Sequence, residues 1–226
     1  MLWPLNLVRE LPGRLTRLRK VTAAEAATLR LSPQMKPVVG QPVRLHNSIV
    51  YLFDLLGGPE LAQYLMRFAF RITPLTTKET AAIQSVLGPL AIRYQDVRIA
   101  EGGLLPYIFR LNGGRAFCAW HTIFLPSEGR HTRDDHSLLV HEATHVFQYE
   151  RTGTAYIGHA LYAQRRMGRG AYDYGGIEGL KQGVPYSAFN REAQAQIAQD
   201  YFARREAKQD VEPYEPYIRE LRAGRF

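Results

Sequence analysis

The sequence has very little cysteine. Its 226 residues include one, Cys118, so no disulfide can form within the chain and the fold must be stable without one. No histidine and asparagine pattern typical of a thiol nucleophile accompanies this residue. We therefore expect Cys118 to be a buried, inert packing residue.

The sequence also lacks long apolar runs. None approaches the roughly 18 apolar residues that a membrane helix needs. The first eight residues are apolar, but they contain Pro4 and no basic residue precedes them, which matches a signal peptide poorly. We expect a soluble protein that is cytoplasmic at synthesis and whose export would require a signal-peptide-independent route.

Acidic residues are fewer than basic ones. Lysine and arginine number 29 against 21 aspartate and glutamate residues, which gives a formal net charge of +8. The basic residues fall into separate clusters without any recognised nucleic-acid-binding motif. We interpret them as solvated surface and expect no specific nucleic-acid partner.

The overall composition is that of a folded globular chain. Hydrophobic residues make up 46% of it and aromatic residues 11%, and no internal repeat is visible. The length suits one medium-sized domain with an extension. We place a partly helical N-terminal extension at residues 1–72, a main domain at 73–206 and a surface-bound or loose C-terminal tail at 207–226.

Local patterns predict the elements before residue 72. Thr22 followed by Glu25 is a capping box, which predicts a helix over 23–30. Residues 32–48 hold three prolines and are typical of an extended connector. A helix over 59–70 begins with proline at a favourable first position, and we expect its large apolar side chains to be packed rather than exposed.

Strands and capped helices are predicted in the rest of the chain. Thr76 with Glu79 forms a second capping box, for a helix that Gly88 can close, and Asp134 or Asp135 can cap a helix that ends near Gly153. Three strands are predicted over 94–100, 106–111 and 115–125. Two further helices are predicted over 156–167 and 189–206.

Residues 138–149 carry the strongest chemical pattern. His141 and His145 lie four positions apart on one helix face, so both imidazoles can reach a single metal ion. Glu142 lies beside the same metal, where it can take a proton from water. This His-Glu-x-x-His order is the pattern of zinc metallopeptidases, so we expect Zn2+ as the cofactor.

A catalytic zinc site needs a third protein ligand. The metzincin arrangement is excluded, because it needs glycine and histidine three and six residues after the second histidine, where this chain has Gln148 and Arg151. Glu192 is the favoured ligand, since it lies early on a predicted helix that can present a carboxylate rigidly. Asp173 and His159 remain open as alternatives.

Several short motifs accompany the metal pattern in a fixed order across residues 73–205. They are Pro74-Leu75-Thr76, Val97-Arg98-Ile99, Ile123-Phe124-Leu125-Pro126, His141-Glu142-Ala143-Thr144-His145-Val146-Phe147-Gln148, Tyr172-Asp173-Tyr174 and Asn190-Arg191-Glu192-Ala193-Gln194-Ala195. In this order the chain resembles bacterial Vgr-related zincins, metallopeptidase domains found with contractile injection and type VI secretion systems. Residues 1–72 lie outside the resemblance.

The resemblance implies a zincin-like α+β fold. Its expected parts are a small mixed or antiparallel sheet, an active-site helix and a second helix that bears a ligand. It also implies a gluzincin site in which His141, His145 and Glu192 hold zinc and Glu142 is the general base. Ala143 departs from the family, where leucine is more common; this affects the packing beneath the active-site helix and not the ligand set.

The expected function is zinc-dependent hydrolysis of peptide bonds in a peptide or protein substrate. An extended substrate could add as a strand beside residues 115–125. The alternative is a noncatalytic structural or carrier component that binds secretion-apparatus proteins, but a purely structural site has no need of Glu142. Candidates for the donor that stabilises the oxyanion are Tyr156, His159, Tyr172, Tyr174 and Tyr186.

Overall fold

The computed structural model describes residues 8–19, 44–128 and 132–226 of the chain. The helices of this part are α1 over 8–19, α2 (Arg44–Leu55), α3 (Gly58–Ala69), α4 (Thr77–Leu87), α5 (Leu105–Asn112), α6 (His136–Thr152), α7 (Ala155–Met167), α8 (Gly176–Lys181), α9 (Arg191–Glu206) and α10 (Glu215–Arg222). The strands are β1 (Arg71–Pro74), β2 (Arg98–Glu101), β3 (Phe117–Ala119) and β4 (Thr122–Phe124). Short 3-10 helices lie at Tyr94–Asp96, Gly168–Tyr172, Tyr186–Ala188 and Glu212–Tyr214. The predicted α+β class is confirmed.

The four strands form one small mixed sheet in the order β1-β2-β4-β3. β1 is antiparallel to β2, and β3 is antiparallel to β4, whereas β2 and β4 run parallel. Parallel neighbours need a crossover connection, which here includes α5. The order leaves β3 at one edge of the sheet, next to α6.

Helix α6 runs through the centre of the molecule. Every residue from Leu138 to Tyr149 is buried, and α4, α7, α9 and the strands β3 and β4 all contact it. The main core joins α6 to β2, β4, α4, α9 and α10, for example through Ile99, Leu139, Ile197 and Ile218. Ala143 is fully buried in this core. A helix buried on all sides is a rigid carrier for polar side chains that must hold their positions.

The predicted helix caps are confirmed where the structure describes them. The Thr76 hydroxyl accepts from the Glu79 N–H, and the Glu79 carboxylate accepts from the Thr76 N–H, which starts α4. Asp135 caps α6 by accepting from the Leu138 N–H. Gly88 and Gly153 end α4 and α6. These boundaries were predictable because each one depends on residues three or four positions apart.

The predicted strand over 106–111 is wrong, because these residues form helix α5. Its Tyr-Ile-Phe run favours a strand by local propensity, but Pro106 fits the first turn of a helix. Leu105 and Phe109 are one helical turn apart and are both buried, in a second small core against β4. Tertiary packing therefore overrides the strand propensity.

The predicted single strand over 115–125 is also wrong, because it is a hairpin of β3 and β4. Trp120 reverses the chain with a φ of 57°, a conformation that is rare for a residue with a side chain. Its N–H donates to the Tyr156 hydroxyl at 3.1 Å, and its indole N–H donates to the Thr154 hydroxyl at 2.8 Å. Two contacts from the start of α7 thus stabilise the turn. The strand predicted over 94–100 is shorter than expected, with β2 beginning at Arg98.

Two burial predictions are corrected. The C-terminal tail is not loose, because Tyr217, Ile218 and Leu221 of α10 are buried in the main core; Pro216 lies in the first turn of α10 and does not prevent it. The apolar side chains of α3 are not all packed. Phe68 is 77% exposed, since the core contacts the opposite face of this helix.

Some predictions fall on residues outside the described ranges. These are the helix over 23–30 and most of the connector over 32–48, whose last five residues are the start of α2 instead. The division into three domains stays a prediction, and its first boundary falls within β1. Among the described helices, none combines the length and the apolarity needed to cross a lipid bilayer.

Candidate metal centre

Three side chains from two helices meet in the interior. His141 and His145 project from α6 with ring centroids 5.0 Å apart, and Glu192 faces them from the first turn of α9. Glu192 Oε2 lies 3.5 Å from His141 Nε2 and 3.6 Å from His145 Nε2. All three residues are at most 5% exposed, and their ligand atoms lie within 4.8 Å of one another. This buried group could hold a metal ion.

Glu192 is held from both ends. Asn190 caps α9 by accepting from the N–H groups of Glu192 and Ala193, which places Glu192 in the first helical turn. Gln164 of α7 donates to Glu192 Oε1 at 3.0 Å. Oε1 is therefore engaged, while Oε2 is directed at the two imidazoles and has no hydrogen-bond partner among the described residues.

Gln148 determines which nitrogen of His145 carries the proton. Its amide nitrogen donates to the Arg191 carbonyl at 3.1 Å and to Gln194 Oε1 at 3.2 Å, which fixes the orientation of the amide. Its oxygen Oε1 then faces His145 Nδ1 at 2.9 Å and must accept from it. The Nδ1–H tautomer leaves a lone pair on Nε2, on the side where Glu192 lies.

The electrostatics of the group favour a cation at its centre. Burial alone would raise the pKa of Glu192, but His145 and His141 lower it well below its ordinary value. Burial opposes protonation of His145, yet Glu192 raises its pKa to about 9. In the metal-free protein a proton thus provides the positive charge that the carboxylate requires. A metal ion bound between the same atoms would replace it.

Glu142 lies beside this group without belonging to it. Its carboxylate is buried, and Oε2 has no hydrogen-bond partner among the described residues. Burial and, to a smaller extent, Glu192 raise the pKa of Glu142, although His141 and His145 oppose the shift. A carboxyl group with a raised pKa holds a proton more readily than an ordinary one, which suits a group that must accept a proton and return it.

A cavity of about 530 Å³ opens onto these residues. His141, Glu142, His145 and Glu192 form its polar side, and β3 forms an adjacent wall. The rest of the wall is largely apolar and includes Ile108, Phe117, Ile157, Ala160 and Leu161. The arrangement is that of a pocket with a few convergent polar groups in an apolar surround, which is typical of ligand and active sites.

Of the three candidates for a third ligand, the structure brings only Glu192 into the group. Asp173 is exposed, and its side chain accepts from the Gly175 N–H at 2.8 Å, which stabilises a turn. His159 lies on α7 but does not line the cavity. Burial and the charge of Arg191 lower the pKa of His159, so it is neutral at pH 7.

Two of the five candidate oxyanion donors line the cavity, Tyr156 and Tyr172. The Tyr156 hydroxyl is already engaged, since it donates to the Cys118 carbonyl at 3.0 Å and accepts from the Trp120 N–H. The Tyr172 ring lies 5.8 Å from the His141 ring, and its hydroxyl accepts from Gln164. The Tyr174 hydroxyl forms hydrogen bonds with Asp200 and Tyr214 instead. The Tyr186 hydroxyl donates to the Gln194 carbonyl.

Cys118 differs from its expected place in the core. It is only partly buried and lies in the cavity wall on β3. Its surroundings of low polarity, and then the charge of Glu142, raise the pKa of its thiol well above the ordinary value. The thiol is therefore protonated at pH 7, which agrees with an inert role.

Sequence reasoning missed two residues that orient the group, Gln148 and Gln164. Gln148 could have been found, because it follows His145 by three positions on the same helix and can therefore reach its ring. Gln164 carried no such signal, since the packing of α7 against α9 alone brings it to Glu192. No protein-family model, curated protein or solved structure matches this chain.

Proposed function

We propose that the chain is a zinc-dependent metallopeptidase with a zincin-like fold. His141, His145 and Glu192 would hold the metal, and Glu142 would be the general base. The observation that carries the proposal is the buried Glu142 carboxylate, which lies beside the three-residue group in the wall of the same cavity. A structural zinc site is closed by its ligands and has no use for such a carboxylate.

The donor set fits zinc. Two imidazoles and one carboxylate are the ligands of several catalytic zinc sites, and Glu192 Oε2 and His145 Nε2, which lie 3.6 Å apart, could bind the metal once it displaces the proton that they share. When bound, zinc would act as a Lewis acid that polarises the scissile carbonyl and makes water acidic enough to lose a proton near pH 7.

Glu142 would move the proton during hydrolysis. It would accept the proton that the attacking water loses and deliver it to the leaving amine, so that water and an amide yield a carboxylic acid and an amine. Its raised pKa supports both steps, because a carboxylate that holds a proton too weakly could not carry it to the amine.

Tyr172 is the best candidate for stabilising the oxyanion. It is half-buried in the cavity wall beside His141, and burial, followed by Glu192 and Glu142, raises the pKa of its phenol. The phenol therefore keeps its proton and can donate it in a hydrogen bond to a developing negative charge.

The substrate proposed is an extended peptide with an apolar side chain near the scissile bond. β3 lines the cavity, and among the described strands none pairs with its outer side, so a peptide could pair there through main-chain hydrogen bonds. The apolar wall formed by Phe117, Ile157 and Leu161 would bury an apolar side chain and exclude a charged one.

The test measures bound zinc and proteolysis together. The parent protein and Glu142→Gln are loaded with zinc, and the new termini formed in a denatured protein mixture are identified by mass spectrometry. We expect both proteins to bind one zinc and Glu142→Gln to be slower by roughly 10²–10⁴-fold. Glu178→Gln, at an exposed carboxylate, is the matched control.

Two results would count against the proposal. If the zinc-loaded parent cuts no member of a broad peptide library, the noncatalytic alternative replaces it. If Glu142→Gln is as active as the parent, a peptidase remains but Glu142 is not its base.

A further inference from the structure

Three helices expose apolar side chains on their outer faces. On α3, Leu61, Leu65 and Phe68 recur at helical spacing, and Phe68 is 77% exposed. On α5, Tyr107 and Leu111 lie one turn apart and are 70% and 89% exposed. Leu56, just after the end of α2, is 74% exposed. We name these six residues the apolar face.

The helices that carry the apolar face are linked by packing and by one backbone hydrogen bond. Met66 of α3 and Leu105 and Phe109 of α5 pack in the same small core, and the Leu104 N–H donates to the Ala69 carbonyl at 3.3 Å. α2 and α3 are joined by a two-residue turn and contact each other. This packing occupies the inner faces of α3 and α5, and the six side chains of the apolar face stay exposed. Exposed apolar groups of this extent mark interaction surfaces.

The charge on these helices selects the kind of partner. Between residues 49 and 71 the acidic residues are Asp54 and Glu60, and no acidic residue lies between 104 and 115. Both carboxylates are buried, Asp54 beside the Thr154 N–H and Glu60 in an ion pair with Arg14. The exposed charges of α3 and α5 are positive and come from Arg67 and Arg110. The layer is therefore apolar and cationic.

We propose that the apolar face docks on an anionic phospholipid bilayer. Leucine and aromatic side chains that project from amphipathic helices can enter the boundary of the acyl chains, while arginines beside them attract acidic head groups. The six side chains are 47–89% exposed, and an acyl layer accommodates such side chains without the matching pockets that a protein partner would need. Helix α5, which carries Tyr107 and Leu111 of the apolar face, also carries Ile108, and Ile108 lines the cavity of the metal centre.

The docking proposal does not depend on the peptidase proposal, and its test uses the full chain without substrate. Flotation with vesicles of phosphatidylcholine alone, and with phosphatidylglycerol added, measures the bound fraction. We expect binding to the anionic vesicles that weakens at high salt. Phe68→Glu and Leu111→Glu should each reduce it at least tenfold, whereas Leu90→Glu, at a leucine that is 94% exposed elsewhere, should not.

The arginines provide a second arm. Arg67→Gln and Arg110→Gln should each weaken binding about fivefold, which corresponds to about 1 kcal/mol per basic residue near an anionic surface. Circular dichroism, measured on every variant, shows that the fold is intact.

Two results would overturn docking on an anionic bilayer. The first is no binding to either vesicle, and the second is equal binding to both. In the first case, a parent dimer that is seen by light scattering and that Phe68→Glu dissociates would show that the apolar face joins two copies of the chain.

Discussion

Replacing Glu192 by glutamine should remove the metal without unfolding the protein. Gln164 donates to Oε1 of residue 192, so a glutamine there must keep its carbonyl oxygen on that side. Its amide nitrogen would then face His141 Nε2 and His145 Nε2, where Glu192 Oε2 lies in the parent. A donor would thus replace an acceptor where a cation has to bind.

The zinc affinity that Glu192→Gln should lose can be estimated from the effect of Glu192 on the proton that His145 binds. The carboxylate is the main cause that raises the pKa of His145 from 6.5 to about 9, against the opposing effect of burial. This rise corresponds to about 3 kcal/mol, and a divalent cation between the same groups gains at least as much. We therefore expect Glu192→Gln to weaken zinc binding at least ~200-fold.

The assay is a zinc titration against a chromophoric chelator of known affinity. Glu206→Gln makes the same chemical change at an exposed position at the end of the same helix and should bind zinc like the parent. Circular dichroism checks that each variant is folded. A folded Glu192→Gln protein with an affinity within threefold of the parent would refute the assignment of Glu192 as a ligand.

Three further predictions follow from the contacts around the site and from α1. Gln148→Met removes the acceptor that orients His145 and should weaken zinc binding about 10–100-fold in the same titration; unchanged binding would show that the tautomer is fixed otherwise. In the metal-free protein, the raised pKa of His145 stabilises the fold fully below pH 6.5, and this stabilisation is lost as the pH rises through about 9. The lowered pKa of Glu192 stabilises the fold above pH 4.5, the ordinary pKa of a glutamate, and this stabilisation is lost only in stronger acid. After a chelator has removed the metal, the melting temperature should therefore decrease as the pH is raised from 6.5 to 9. This decrease should be absent in Glu192→Gln. Arg14→Met leaves Glu60 buried without its cation and should cost about 3 kcal/mol in urea unfolding, much of which Glu60→Leu in the same chain should restore.

Helix boundaries were the part of the fold most open to prediction from sequence. Thr76 with Glu79 and Asp135 were found because a cap is a hydrogen bond between residues three positions apart. The strand predicted over 106–111 failed because a short apolar run fits a strand or a buried helix equally well, and only the neighbours of Leu105 and Phe109 decide between them.

The sequence also did not predict the chain reversal at Trp120 or the burial of α10, for the same kind of reason. Nothing local marks a tryptophan as a residue with positive φ. The hydrogen bonds that Trp120 donates to Tyr156 and Thr154, more than 30 positions away, stabilise this conformation. The tail over 207–226 was predicted to be surface-bound or loose, but proline also fits the first turn of a helix, and α10 packs against the core.

For the candidate site, the sequence by itself determined the pair of histidines and the glutamate between them. A helix has a fixed repeat, so His141, Glu142 and His145 must lie on neighbouring parts of one surface wherever that helix is placed. The tertiary structure decided what joins them. The packing of α9 against α6 brings Glu192 to the histidines and leaves Asp173 in an exposed turn.

Only the tertiary structure could also show that Gln164 engages one oxygen of Glu192 and that Arg191 and Gln194 fix the orientation of the Gln148 amide. The position of β3 at the edge of the sheet, beside the cavity, likewise appears only in the tertiary structure. These features depend on contacts between residues that are distant in the chain or on the order of strands in the sheet. Neither is encoded in a spacing of a few residues, because the distance between two elements is set by the packing of the whole core.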